Sequence, residues 1–343
     1  MRVLTVSDRD HHDWDDFVVT QNGCTAYHQY RWKQIVENSF GHTAHYLAAI
    51  DDSGLWHGVL PLIHMKSFLF GNFLVSLPFV NYGGLLCSST DAAGLLLAEV
   101  ERLRTSLGSS YVELRHIGEG IAGMQTRQHK VTMVLHLATC AEQQWLAFNA
   151  KLRNQIRKPE KSGLLPVIGH LELLDGFYDV FARNMRDLGT PVYSRGFFHN
   201  VLNELPDSSK IIAVRHEGRL IAAGIATWFG DTIEIPWASS IADFKNLCPN
   251  NMLYWEAIKF AIEKGFTKFD FGRSTPDEGT FNFKKQWGAE PLQLYWQYLL
   301  PEGENLPELN PKNPKFGLAI KVWQKLPVGL TRLVGPHIVR NIP

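Results

Sequence analysis

The residues best suited to chemistry in this 343-residue chain gather between Lys268 and Tyr298. Lys268-Phe-Asp-Phe-Gly-Arg-Ser-Thr275 alternates Phe269 and Phe271 with Asp270 and Gly272. That is the pattern of a short strand with one apolar face, ending at a glycine that lets the backbone turn. Asp270, Arg273, Ser274 and Thr275 are therefore expected at the C-terminal edge of a strand. In α/β sheets the chain leaves the sheet at that edge and opens a crevice where ligands bind. A few residues later Lys284 and Lys285 lie among Phe281, Phe283 and Trp287. An ammonium held by aromatic neighbours is partly desolvated and fixed in direction. A carboxylate and a directed cation make a site-like pair. The same residues also fit a structural ion pair between Asp270 and Arg273 with solvated lysines.

Length allows two domains of ordinary size to position these groups, each with its own core. A hydrophobic content of 45% with 12% aromatics is a globular composition. Thirty-four Lys and Arg balance 34 Asp and Glu, so no global field favours nucleic acid, while local basic patches stay open. The N-terminus becomes charged within ten residues and offers no apolar core of signal-peptide length. No apolar run approaches the roughly 20 residues of a spanning helix. A cytoplasmic protein is expected. Cys24, Cys87, Cys140 and Cys248 form no Cys-x-x-Cys pair, and His11-His12 and His42/His45 lack a third ligand at useful spacing, so no metal site is expected.

Along the first half, Trp14 to Thr20 and Tyr27 to Asn38 read as helices. Ala44 to Ile50 and Gly58 to Met65 flank the turn Asp51-Asp-Ser-Gly54 as a β-hairpin. Leu74 to Val80 reads as a strand, Asp91 as the cap of a helix to Leu107, and Tyr111 to His116 as a strand. The order recurs later: a hairpin around His216-Glu-Gly218, a strand from Thr232 to Ala238, a helix from Asn251 to Lys264, and the strand at Lys268 to Phe271. From hairpin glycine to acidic strand residue the spacing is 59 positions in the first half (Gly54 to Glu113) and 52 in the second (Gly218 to Asp270). The repeat implies duplicated α/β domains with mixed sheets: residues 1–145, residues 146–300, and a tail at 301–343.

Between the halves, Lys151, Asn154, Arg157 and Lys158 fall on one face of a helix expected to end at Pro159. With Arg153 they make a basic stretch that could receive phosphates or simply face water. Tyr193 and Arg195 sit in a loop just before a helix, where they could face a cleft or serve as capping residues. Trp237, in Pro236-Trp-Ala-Ser-Ser240, could line an acceptor pocket or belong to the core.

Phe269-Asp-Phe-Gly-Arg-Ser, Phe283-Lys-Lys-Gln-Trp-Gly-Ala289, the Lys-x-Arg-x-x-x-Arg-Lys run from Lys151 and the segment Asn250 to Trp255 resemble motifs of the Fem-type peptidyltransferases. The branch they resemble is associated with exosortase and exopolysaccharide gene clusters. The resemblance implies tandem GNAT-like domains, in which two central parallel strands splay apart to admit an acyl donor. It implies acyl or aminoacyl transfer to an amine of a cell-envelope or exopolysaccharide precursor, with no bound cofactor. Lys284 would stabilise the oxyanion, Asp270 would orient the attacking amine or take its proton, and Arg273 with Ser274 would fix the acceptor. Arg153, Arg157 and Lys158 would hold phosphates, and Asn250 and Tyr254 would join the substrate site.

Acetyl-CoA-dependent GNAT enzymes hold the pyrophosphate on a glycine-rich loop. Here the corresponding stretch, Asp243 to Asn251, contains no glycine. That departure favours aminoacyl-tRNA over acyl-CoA as donor. A CoA-dependent N-acyltransferase and a noncatalytic protein that binds polysaccharide precursors are the alternatives. No Ser-His-Asp or Cys-His arrangement is evident, which favours direct transfer. The acceptor would be a lipid- or nucleotide-linked glycan precursor. After a Pro-rich spacer, Phe316 to Leu326 is amphipathic, with Leu318, Val322, Trp323 and Leu326 apolar, and six Lys or Arg with no acid follow Glu308. Such a tail suits either peripheral contact with an anionic membrane or docking on the protein itself.

Overall fold

The computed structural model describes residues 1–68, 70–306 and 314–343. The expected Pro-rich spacer falls largely on 307–313, outside the described residues. The chain begins with β1 (Arg2–Thr5), α1 (His11–Thr20), α2 (Arg31–Phe40), β2 (Thr43–Ile50), β3 (Trp56–Ser67), β4 (Gly71–Val75), β5 (Leu86–Cys87), α3 (Thr90–Ser106), β6 (Val112–Ile117) and β7 (Gln125–Arg127). Then follow β8 (Val131–His136), α4 (Ala141–Ala147), α5 (Ala150–Lys161), β9 (Leu165–Gly169), α6 (Leu174–Leu188), α7 (Arg195–Glu204), β10 (Ser209–His216), β11 (Arg219–Phe229) and β12 (Thr232–Ser240). The last elements are α8 (Pro249–Glu263), β13 (Lys268–Ser274), α9 (Gly279–Lys285), β14 (Glu290–Leu299), α10 (Pro314–Trp323) and α11 (Val328–Val339).

Two compact units divide the chain at Val131/Thr132, not at 145/146. The first holds Met1–Val131, the chain from Leu292 and Arg340–Pro343; the second holds Thr132–Pro291 and the C-terminal helices through Val339. The expected linear boundaries miss this because β14, late in the sequence, belongs mostly to the first unit.

In the first unit the strands run β1-β2-β3-β4-β6-β14. All neighbours are antiparallel except β4 and β6, which are parallel. Alternate residues Leu47, Leu60, Leu62, Leu74, Val112 and Leu114 meet the buried stripe Ala92, Leu96 and Val100 of α3, which recurs every four residues as a helix face requires. Ser89 caps α3, its side chain accepting the Ala92 N–H at 3.2 Å. Asp91, expected as the cap, lies in the first turn, where its charge suits the helix dipole.

The strand expected over Leu74 to Val80 stops at Val75. Its parallel register with β6 ends at Val75↔Glu113. Ser76 then turns its hydroxyl to the Arg115 N–H at 2.8 Å, and Leu77 and Phe79 adopt left-handed backbone at φ 56° and 73°.

The second unit repeats the plan with the order β8-β13-β12-β11-β10-β9. β12 and β13 are the parallel pair, in register only over Thr232↔Lys268, Ile233↔Phe269 and Glu234↔Asp270. Ile221 to Thr227 of β11 are all buried, as expected for a strand covered on both faces, and both α6 and α8 pack on it. Helix α5 runs through Pro159 to Lys161 instead of ending there. Leu152, Ile156 and Pro159 are its buried stripe, and this packing against α8 overrides the lost backbone bond. Of the tail, α11 docks on α6, burying Thr331, Gly335 and Val339, whereas Leu318 and Val322 of α10 stay exposed.

In the first unit Glu113 is fully buried, with Arg115 Nε at 2.7 Å on one carboxylate oxygen and the Tyr298 hydroxyl at 2.8 Å on the other. Replacing Glu113 by Ala strands a guanidinium that is 1% exposed. The expected cost is about 3–5 kcal/mol in urea unfolding; a loss below about 1 kcal/mol would contradict the pairing described.

Candidate active site

In the second unit β12 and β13 part immediately after Glu234↔Asp270, although β12 continues to Ser240 and β13 to Ser274. The acidic residue therefore sits where the parallel strands fork. Beyond a fork the backbone groups need other partners, because a buried unpaired carbonyl is costly. Gly272 adopts φ 75°, a conformation that favours glycine. Successive carbonyls of a regular strand point in opposite directions, and this local reversal turns two of them to one side. Lys284 Nζ donates to the Gly272 carbonyl at 2.8 Å and to the Arg273 carbonyl at 3.0 Å.

Asp270 is 2% exposed and Lys284 7%. Asp270 Oδ1 accepts the Thr132 hydroxyl at 2.5 Å and the Gly272 N–H at 2.7 Å, so the carboxylate braces the turn that presents the carbonyls. Burial pulls the Lys284 ammonium down to about 8, against the opposing pull of Asp270 and Glu234; Arg273 adds to the lowering. A two-carbonyl cradle leaves one ammonium N–H uncommitted among the described residues. The site is thus a nearly buried cation of adjustable protonation with one donor to offer.

The remaining expected residues divide. Ser274 is buried at the strand end, its hydroxyl without a hydrogen-bond partner. Asn250 Oδ1 and Trp287 Nε1 are orphaned in the same way, and buried orphans of this kind mark places a ligand can satisfy. Arg273 is exposed and joins the cradle through its carbonyl. Cys248 precedes α8 and Pro249 opens it, so Asn250 lies in its first turn. Tyr254 packs its ring on Phe271 and Phe283 at 5.2 and 5.4 Å as part of the core beneath β13, and burial pushes its hydroxyl up.

Tyr193, Arg195 and Trp237 are engaged by neighbours within the second unit. Trp237 wedges edge-on against Phe197 and Phe198 at 5.3 and 5.6 Å, and Tyr193 packs on Phe197 at 5.2 Å. Arg195 pairs with Asp175 at the surface, while Ser194 caps α7. On α5, Lys151, Arg157 and Lys158 are exposed and Arg153 half-buried; Arg157 lies over the Trp145 ring at 5.0 Å.

Sequence reasoning missed Glu234 and Thr132, both buried at the fork. The signal for Glu234 was legible: an acid between β-branched residues in Thr232-Ile-Glu-Ile235, inside a central strand.

Residues 147–285, within the second unit, match the family model described as acetyltransferase (GNAT) domain. No curated protein matches the chain in a sequence comparison. Among solved structures, FemX superposes with a TM-score of 0.67 at 15% identity, covering 87% of this chain and 98% of FemX. A tandem GNAT protein from the clavulanic acid biosynthesis pathway gives 0.57 at 10%, covering 89% and 99%. L-PGS from Bacillus licheniformis gives 0.55 at 14%, covering 94% and 96%. The expected fold is correct: this is a mixed α/β chain with the tandem GNAT architecture. Among the described residues no helix is long and apolar enough to cross a membrane.

Asp270→Asn removes the charge that most strongly holds Lys284 protonated. The Lys284 pKa should then fall below about 8, read as the pH dependence of its acetylation by acetic anhydride followed by mass spectrometry. An unchanged midpoint would show that Asp270 does not act on this lysine.

Proposed function

We propose that the protein is a Fem-like acyltransferase that moves an acyl or aminoacyl group from an ester donor to an amine of a cell-envelope or exopolysaccharide precursor. The observation that carries this reading is Lys284, a nearly buried ammonium fixed by two carbonyls at the fork of the parallel strands, with one donor left over. The acceptor nitrogen attacks the ester carbon, and the carbonyl oxygen becomes an oxyanion that the remaining Lys284 N–H meets. Such a donor in a water-poor site is worth far more than in water. The C–O bond then breaks, and the proton lost by the amine ends on the leaving oxygen. Asp270 keeps Lys284 charged and orients the attacking amine or takes its proton. Ser274, whose hydroxyl has no other partner, contacts the acceptor together with Arg273. Arg153, Arg157 and Lys158 supply an exposed basic face for phosphates.

Aminoacyl-tRNA is favoured over acyl-CoA by the backbone between β12 and α8. There the N–H groups of Phe244, Cys248 and Asn251 already donate to Ile241, Lys245 and Cys248. Those amides are spent within the 3-10 segment, at its end and in the first turn of α8, which speaks against these three as an open pyrophosphate cradle. The GNAT match supports the CoA-dependent alternative. Incubating the protein with charged tRNAs and acyl-CoAs separates the two: the reading expects deacylation of an aminoacyl-tRNA that depends on the acceptor. Deacylation of CoA thioesters alone would reverse it.

Lys284→Ala should lower kcat by roughly 10²–10³, the usual worth of one oxyanion donor. Lys284 is charged below about 8 and neutral above, so transfer should decline as pH rises through that value. Lys284→Arg, whose charge persists, should lack this decline in whatever activity it retains. A full-rate Lys284→Ala variant, or a decline that survives in Lys284→Arg, would remove the role.

A further inference from the structure

The second unit contains a cavity of about 570 Å³ that none of Asp270, Ser274 or Lys284 lines. Four guanidiniums converge on it: Arg183 from α6, Arg215 and Arg219 from the β10–β11 hairpin, and Arg332 from α11. Two carboxylates, Glu172 and Asp179, share the wall. The sequence places these arginines deliberately. Glu217 and Gly218, both at positive φ (48° and 83°), make the two-residue turn that sets Arg215 opposite Leu220 and Arg219 opposite His216 at the hairpin end. A register irregularity falls between Val214 and Arg215, just before this hairpin end.

The compensation is incomplete. Asp179 is committed to Arg332 at 2.6 Å. Glu172 accepts the His170 N–H at 2.8 Å. Arg183 reaches Asp243 only at 4.0 Å, with both side chains well exposed. Arg219 lies over the Phe244 ring at 4.9 Å and has no carboxylate among the described residues. Arg215 Nε and Arg332 Nε are buried without a hydrogen-bond partner. The first residues of α11, Val328 and Gly329, close the wall, and a helix N-terminus adds partial positive charge. Planar guanidiniums arriving from several directions, with orphaned N–H groups, match a tetrahedral oxyanion that can accept from each of them.

We propose that this cavity is an auxiliary binding site for a phosphate or pyrophosphate group. Its ligand is held by Arg215, Arg219 and the free edge of Arg332, away from the acyl-transfer residues and independent of the reaction they carry out. Two sources of that group fit. One is a soluble phosphate compound. The other is an anionic lipid headgroup, because α11 also exposes Leu330, Leu333 and Val334 beside Arg332, Leu333 at 68%.

The test uses the full chain in two arms. Inorganic pyrophosphate is titrated by calorimetry, and phosphatidylcholine vesicles with and without phosphatidic acid are tested by co-sedimentation. Binding is expected in at least one arm, weakened at least roughly tenfold by Arg215→Gln with Arg219→Gln, and retained by Lys284→Ala. The single variant Arg219→Gln, at an exposed turn position, guards against misfolding of the double variant and should show part of the loss at an unchanged Tm. Binding of pyrophosphate assigns a soluble ligand, and binding only to phosphatidic acid vesicles assigns a lipid. No binding in either arm, binding unaffected by both arginine variants, or loss of binding in Lys284→Ala would overturn the proposal.

Discussion

Two parallel strands that part company leave backbone groups with no ladder to join, and the second unit is arranged around that constraint. Past Glu234↔Asp270 the carbonyls of Gly272 and Arg273 need donors. A lysine supplies them from α9, twelve residues beyond Gly272. The arrangement is self-consistent at each level. Glycine at 272 permits the positive φ, Asp270 accepts the Gly272 N–H and fixes the turn, and Phe269 and Phe271 anchor the strand on Tyr254. Burial makes the ammonium costly, and the two nearby carboxylates partly offset that cost. A cation kept close to its titration point is a poor choice for stability alone and a good one for chemistry near neutral pH.

The first unit meets the same constraint differently. Its parallel strands also part at an acid, Glu113, but there the partner is a guanidinium and the closing hydroxyl is Tyr298. Arg115 is further covered by the Trp296 ring at 4.5 Å and reaches the Val80 carbonyl at 3.3 Å. Glu113 has both oxygens satisfied by Arg115 and Tyr298. The duplicated plan therefore yields one fork sealed by a static ion pair and one held by an adjustable cation. This asymmetry places the proposed chemistry in the second unit, where the acetyltransferase match also falls.

Much of this was legible in the sequence where signals are local. Asp51 to Gly54 and Glu217-Gly218 announced both hairpins, and the Phe269/Phe271 alternation announced β13 and its C-terminal edge. Lys284 is buried, but on the Gly272 and Arg273 carbonyls, whereas exposed Lys285 is the one that lies over an aromatic ring, Phe281 at 5.9 Å. What was not legible depends on distant contacts. β14 joins β6 across roughly 180 positions, so linear boundaries misplaced the units. Trp237 read as pocket or core, and Tyr193 as facing a cleft or capping a helix, because their packing on Phe197 and Phe198 lies outside any local pattern. The arginine cavity drew on a hairpin, α6 and α11, residues that no local pattern connects.

The central claim is that the Lys284 ammonium faces the carbonyl undergoing attack. A crystal structure with a non-hydrolysable acyl-donor analogue tests it most directly. The account predicts the acyl carbonyl oxygen at about 2.7–3.2 Å from Lys284 Nζ, taking the N–H that the Gly272 and Arg273 carbonyls leave over. A donor bound with that oxygen out of hydrogen-bond reach of Lys284, and the two-carbonyl cradle undisturbed, would contradict it.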